Sequence, residues 1–164
     1  MYREAADGYG AALDRLASAY EANPEECRDL LQDIHVALWR SFAGFDGRCS
    51  TRTWVYRVAH NVATSHVIRQ KRKNSALVTL EAIEAMPDVQ DHAYEERADL
   101  ERLMALIHQL RPLDRQMMLL YLEGMDAASI GEVMGVSAGS VATKIHRIKN
   151  ILTRRFHGGE RDAE

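Results

Sequence analysis

An all-α fold in two small helical domains joined by a flexible acidic linker is predicted by three observations. Apolar residues recur at helical spacing along most of the 164 residues, while alternating strand-like runs are scarce. Residues 74–96 lose that periodicity, contain Pro87 and are strongly acidic, which reads as a linker with at most a short helical turn. Charge is segregated into blocks behind a formal net charge of only −3. Residues 44–73 hold seven basic side chains against Asp46 alone, and residues 138–156 hold five basic and none acidic. Between them, residues 79–101 hold eight acidic side chains against Arg97 alone. Two basic blocks flanking an acidic one suit a protein that meets nucleic acid at two places.

The elements follow in order. Tyr9, Leu13, Leu16, Ala17 and Tyr20 make a first apolar stripe, stopped near Asn23-Pro24. Leu30, Leu31, Ile34, Leu38 and Phe42 make a second, ended at Gly44. After the loop Phe45-Asp46-Gly47-Arg48-Cys49, Ser50 can cap a long third helix in which Trp54, Val55, Val58, Ala59 and Val62 face one way. That helix runs into Arg69-Gln70-Lys71-Arg72-Lys73. Trp54, Val55 and Val58 are expected in the core, whereas Tyr56 suits either the core or the surface. These three helices give a first domain over residues 1–73.

Leu100, Leu103, Met104, Ile107 and Leu110 restart a helix that stops before Pro112, and another runs from about Asp114 through Met117, Met118, Tyr121 and Leu122 to Gly124. Then comes the densest signal in the chain. Asp126 can N-cap a short helix Ala127–Met134, Gly135 suits the left-handed position that ends it, and Ser137 can cap a second helix. On that second helix Val141, Ile145, Ile148 and Leu152 form the apolar stripe. Its other face carries Ser140, Thr143, Lys144, Arg147, Lys149, Arg154 and Arg155 with no carboxylate. Gly131 permits close approach of the two helices. One stripe to dock and one basic, hydroxyl-bearing face to present is what a DNA-reading helix-turn-helix requires. A plain helical hairpin with a solvated basic face is the simpler alternative. This second, four-helix domain covers residues 97–157.

Other function classes find little support. The seven histidines form no HExxH or other ligand pattern, and no glycine-rich phosphate loop or nucleophile elbow is present. Cys27 and Cys49 are far apart with no CxxC, so neither zinc nor a disulfide framework is indicated. No catalytic role, cofactor or metal is therefore expected. Neither a bilayer-length apolar run nor a signal peptide at the Met1 end is found, so a cytoplasmic protein without membrane insertion is expected.

Three motifs in one order carry a family resemblance. Glu25-Glu26-Cys27-Arg28-Asp29-Leu30-Leu31-Gln32-Asp33-Ile34 with Leu38-Trp39 resembles region 2.2 of the sigma-70 family. Phe45-Asp46-Gly47, Ser50, Arg52-Thr53-Trp54-Val55-Tyr56-Arg57-Val58-Ala59 and Asn61 resemble regions 2.3 and 2.4. Tyr121-Leu122-Glu123-Gly124, Gly139-Ser140-Val141 and Lys144-Ile145-His146-Arg147 resemble region 4. Over about residues 9–156 the chain is similar to the extracytoplasmic-function (group IV) sigma factors, which keep only regions 2 and 4 and a linker between them.

The resemblance implies an alternative sigma factor that binds core RNA polymerase and directs initiation at particular promoters, commonly under an anti-sigma factor. Asp29, Gln32, Asp33 and Trp39 would then meet polymerase, although an acidic solvated face is their simpler role. Phe45 and Asn61 match positions around the flipped base of the minus-ten element. Arg48, Arg52, Tyr56, Arg57, Arg69 and Arg72 belong to the same DNA-facing group, with the arginines on the strand backbone. Ser140, Thr143, Lys144, His146 and Arg147 would face the major groove at minus thirty-five. Ala142 departs from the family, which often has a basic residue there. The acidic linker can serve as a tether, as a nucleic-acid mimic near the polymerase active centre, or as a device holding the two domains folded on each other. A stand-alone helix-turn-helix regulator of duplex DNA is the rival function, but it has no use for the aromatic, arginine-rich loop at Phe45–Arg57.

Overall fold

The computed structural model describes residues 1–73 and 95–158, apart from the side chains of 71–73, 95–98, 157 and 158. Among the described residues are seven α-helices and one 3-10 turn. They are α1 (Tyr2–Tyr20), α2 (Pro24–Ser41), the 3-10 turn Phe42–Gly44, α3 (Thr51–Lys73), α4 (Glu95–Gln109), α5 (Pro112–Leu122), α6 (Ala127–Met134) and α7 (Ala138–Gly158). No strand occurs among the described residues. Most of the expected linker, residues 74–94, lies outside them.

The punctuation works as the side chains dictate. The Asn23 carboxamide accepts hydrogen bonds from the Glu25 and Glu26 amides, Pro24 occupies the first turn, and Arg40 sits in the last, so both ends of α2 complement its dipole. Ser50 Oγ accepts from Thr53 N at 3.0 Å and starts α3. Asp126 Oδ1 accepts from Ser129 N at 2.7 Å and starts α6, which Gly135 ends at φ 72°. Pro112 opens α5, two residues earlier than the periodicity alone suggested.

The first three helices pack on one another around Leu13, Leu30, Ile34, Leu38, Val55 and Ala59. Trp54 and Val58 are only half-buried, and Tyr56, left open by the sequence, is buried. In the second half, Leu106, Leu110, Met118, Ile148, Ile151 and Leu152 form a cluster of their own. The expected stripe on α4 is shorter than it looked: Leu100 is 61% exposed, because the packing surface of this helix begins at Leu103. Tyr121 and Leu122 at the end of α5 are exposed as well.

The two halves are not separate bodies here. The larger cluster runs from Leu13 and Val55 into Met117, Leu120, Met125, Ile130 and Val133, and α3 packs on both α5 and α6. Arg115, only 2% exposed, stitches the halves together. Its guanidinium donates to the carbonyls of Ile107, His108 and Leu110 at the end of α4, and to the Tyr20 carbonyl at the end of α1. It also lies 5.4 Å from the Tyr20 ring centroid. One buried cation thus satisfies helix-terminal carbonyls from both halves.

Candidate nucleic-acid interface

The turn between α6 and α7 depends on one missing methyl group. A Cβ at Gly131 would stand 2.6 Å from the Val136 carbonyl oxygen, and the Gly131 carbonyl accepts from both Gly135 N and Val136 N. Ser137 Oγ accepts from Ser140 N at 3.2 Å and caps α7. The apolar side of α7 is then locked, with Val141, Ile145, Ile148 and Leu152 all buried.

The opposite side is presented outward. Ser140, Thr143, His146 and Arg147 are exposed. Ser140 Oγ pairs with Ser137 Oγ, Thr143 Oγ1 donates to the Gly139 carbonyl, and the His146 ring meets the Asn150 amide at 3.1 Å. These short local bonds hold the side chains against their own helix and leave the face open to a groove. Lys144 differs from them. Its ammonium lies 3.1 Å from the carboxylate of Asp114, which is buried on α5, so this lysine also ties the recognition helix to its domain. Lys149 likewise donates to the Tyr121 hydroxyl and sits over that ring.

The second basic surface lies at the start of α3 and the loop before it. Phe45 is half-buried, packed between the Phe42 ring at 5.8 Å and the Trp54 ring at 5.3 Å, whose Nε1 donates to Ser41 Oγ. Arg48 is exposed and paired with Asp46 across the loop. Asn61 is exposed on α3, and Arg69 further along pairs with Asp33 of α2 at 3.8 Å. Arg72 is in the last turn of α3, its side chain outside the described residues.

The middle of this surface is engaged from within. Arg52 Nη2 donates to the Glu123 carbonyl at 2.6 Å, and its guanidinium lies 5.9 Å from the Tyr56 ring centroid. Tyr56 donates its hydroxyl proton to Glu123 Oε2 at 3.2 Å. Burial, with the Glu123 charge beside it, pushes the phenol up to about 12. Arg57 Nη2 donates to the Glu132 carbonyl at 2.5 Å. Of the expected DNA-facing residues, Arg52, Tyr56 and Arg57 therefore come together, but against α5 and α6.

On α2, Asp29, Gln32, Asp33 and Trp39 are all exposed, with Trp39 at 63%. The indole lies open to water on a helix whose inner residues Leu30, Ile34 and Leu38 are fully buried.

Sequence reasoning did not anticipate Glu123 or Arg115. Glu123 stood in a recognisable motif, but no spacing links it to Arg15, which is 108 residues away. Nor did it anticipate the approach of Glu21, Glu26 and His66, whose ligand atoms lie within 4.8 Å of one another. Glu21 already pairs with His66 at 2.9 Å, and Glu26 accepts from Gln70, so each of the three side chains has a protein partner. No helix of the described residues is long and apolar enough to cross a membrane.

Comparison with known proteins bears on both surfaces. Residues 6–73 match the family model for sigma-70 region 2, and residues 100–152 match that for sigma-70, region 4. An RNA polymerase sigma-E factor of Streptomyces avermitilis is 30% identical over 157 residues, spanning 93% of this chain and 83% of that protein. An ECF RNA polymerase sigma-E factor of Haemophilus influenzae is 27% identical over 138 residues, 78% of this chain and 73% of that protein. Among solved structures, the sigma factor RpoE from Bartonella quintana, in complex with the anti-sigma factor NepR, superposes with a TM-score of 0.69. It is 16% identical, over 94% of this chain and 95% of that one.

Proposed function

Because this chain belongs to the sigma-70 family, as an extracytoplasmic-function RNA polymerase sigma factor, we propose a division of labour among its exposed surfaces. Residues 1–73 bind core polymerase and open the minus-ten element, residues 97–157 read the minus-thirty-five element, and residues 74–96 join them. Asp29, Gln32, Asp33 and Trp39 on α2 form the polymerase contact. Their arrangement supports a helix-on-helix interface with an aromatic anchor and polar rim.

On α7, Ser140, Thr143, His146 and Arg147 enter the major groove, and Lys144 adds its charge at the edge while holding Asp114. On α3 and its preceding loop, Phe45 and Asn61 receive a base taken out of the stack, which costs a few kcal/mol in lost stacking and pairing. Arg48, Arg52, Tyr56, Arg57, Arg69 and Arg72 hold the strand around it. Initiation chemistry stays with polymerase, so no residue of this chain is assigned a catalytic role. The protein works in the cytoplasm with polymerase and promoter DNA, restrained by an anti-sigma factor or another inhibitor.

The observation that carries this reading is the presence, on one chain, of two different basic surfaces. One is a helix in helix-turn-helix geometry, fit for duplex DNA. The other is an aromatic and arginine surface fit for an opened strand. In vitro transcription with purified core polymerase, with and without this protein, on a pool of promoter fragments tests it. Discrete start sites that require the protein are expected. Sequence-selective duplex binding by the protein alone, with no dependent start site, would replace the sigma reading with a stand-alone regulator.

A further inference from the structure

The two basic surfaces have unequal access to DNA. Three of the six residues assigned to strand holding are occupied by backbone or side-chain groups of the α5–α6 segment. The hub is Glu123, the residue that ends α5. Its carboxylate takes a bidentate pair from Arg15 of α1, with Nε to Oε1 at 2.8 Å and Nη2 to Oε2 at 2.9 Å. The same carboxylate accepts from Tyr56, and its backbone carbonyl accepts from Arg52. Arg15 holds the Glu123 carboxyl below the usual carboxylate range, so it is charged at neutral pH. Four donors from two region-2 helices, two of them on Arg15, thus converge on Glu123 of region 4.

An anionic carboxylate flanked by carbonyl oxygens offers arginine and tyrosine the same acceptors that a phosphodiester offers. With Tyr56 only 2% exposed and the Arg52 guanidinium bent over its ring, no strand can reach this part of α3 while the contact persists. We propose that the α5–α6 turn acts as an intramolecular stand-in for DNA. Glu123 latches the free protein in a closed state in which region 4 covers the strand-opening surface of region 2, while α7 stays outward. This rests on the assignment of Arg52, Tyr56 and Arg57 to DNA. Polymerase, by holding region 2 and region 4 apart, would release the latch. The latch also explains how two basic domains can lie against each other: the groups that region 4 offers to Arg52, Tyr56 and Arg57 of α3 are all acceptors.

The test uses the full chain with a charge swap. Glu123→Lys places a cation against Arg15 and Arg52 and should open the protein. The double variant Glu123→Lys/Arg15→Glu reverses the pair and should close it again at the wild-type net charge. Glu101→Lys, at an exposed position on α4, controls for added charge alone. Two readouts are taken without polymerase: radius of gyration by small-angle scattering, and affinity for a fluorescent single-stranded oligonucleotide by anisotropy. Circular dichroism verifies that each variant is folded.

Glu123→Lys is expected to enlarge the radius of gyration and to bind the strand at least 10-fold tighter than Glu101→Lys, with both effects reversed in the double variant. Unchanged dimensions in Glu123→Lys would overturn the latch. Expansion without any gain in strand affinity would instead overturn the assignment of this α3 surface to DNA. If Glu123→Lys does not fold, Arg15→Glu alone takes its place. Tighter strand binding despite its added negative charge is then the expected result, and weaker binding overturns the latch.

Discussion

Helices α3 and α7 both carry basic residues on one side and core residues on the other, yet the structure treats them differently. On α7 the apolar stripe is regular and wholly buried, and Ser140, Thr143, His146 and Arg147 opposite are exposed, with Lys144 half-buried beside them. On α3 nearly every side is used. Val55, Ala59, Ala63 and Val67 face the three-helix core, His60 is buried between Tyr20 and Tyr56, and Arg52 and Arg57 are held by α5 and α6. A helix that only has to dock and read can be built as a simple amphipath. In the proposed division of labour α3 also opens DNA, so its polar groups need partners whenever DNA is absent, and region 4 supplies them.

The contrast can be broken most sharply at Gly131. Presentation of α7 relies on the missing side chain there, so Gly131→Val, which drives atoms into the Val136 carbonyl, should destabilise the helix-turn-helix by about 3 kcal/mol. Thermal unfolding should show it, together with loss of transcription from promoters that need the minus-thirty-five element.

Next in size is a separation of reading from opening. Arg147→Ala should weaken minus-thirty-five recognition by about 1–3 kcal/mol, whether or not the template is already melted. Asn61→Ala should impair transcription by a similar factor on duplex templates, and mismatching the minus-ten bases beforehand should rescue it. Rescue of both variants, or of neither, would mean the two helices do not divide the work.

A finer probe is Lys144, which on the α7 face pairs with the buried Asp114. Lys144→Met leaves the Asp114 carboxylate without its cation, and a loss of about 1–3 kcal/mol in folding stability is expected before any DNA is added. Unchanged stability in Lys144→Met would make Lys144 a DNA contact only.

On the inner side of α3, burial pushes the His60 imidazole down to about 3 from an ordinary 6.5. The folded protein therefore stays unprotonated at this site where the unfolded chain takes up a proton. Stability is full above pH 6.5 and falls as pH drops toward 3, by at most ~1.4 kcal/mol per pH unit from this residue. Denaturant unfolding of the wild type and of His60→Leu between pH 4 and 7 should show a shallower acid limb in the variant.

How far the fold was legible follows from how local each signal is. Asn23, Ser50, Asp126 and Ser137 cap helices with their own side chains two or three residues away, and Gly135 ends α6 by its own backbone preference, so these boundaries were readable. Leu100 misled because a leucine in helical register looks the same whether or not a neighbouring helix covers it. Tyr56 stayed open for a related reason, since its amphipathic ring suits either side of a surface until a partner such as Glu123 is known.

By itself, then, the sequence determined the all-α class, the helix-turn-helix with its outward basic face, and the motifs of regions 2 and 4, because each depends on residues within a few turns of one another. Only the tertiary structure decided that the two halves share a core, that Arg115 binds the ends of α1 and α4, and that Glu123 gathers Arg15, Arg52 and Tyr56. Those contacts join residues far apart along the chain, where periodicity carries no information about which charge will meet which. The shared core brings them within reach, and the cost of leaving a half-buried arginine or carboxylate unpaired then selects the partner.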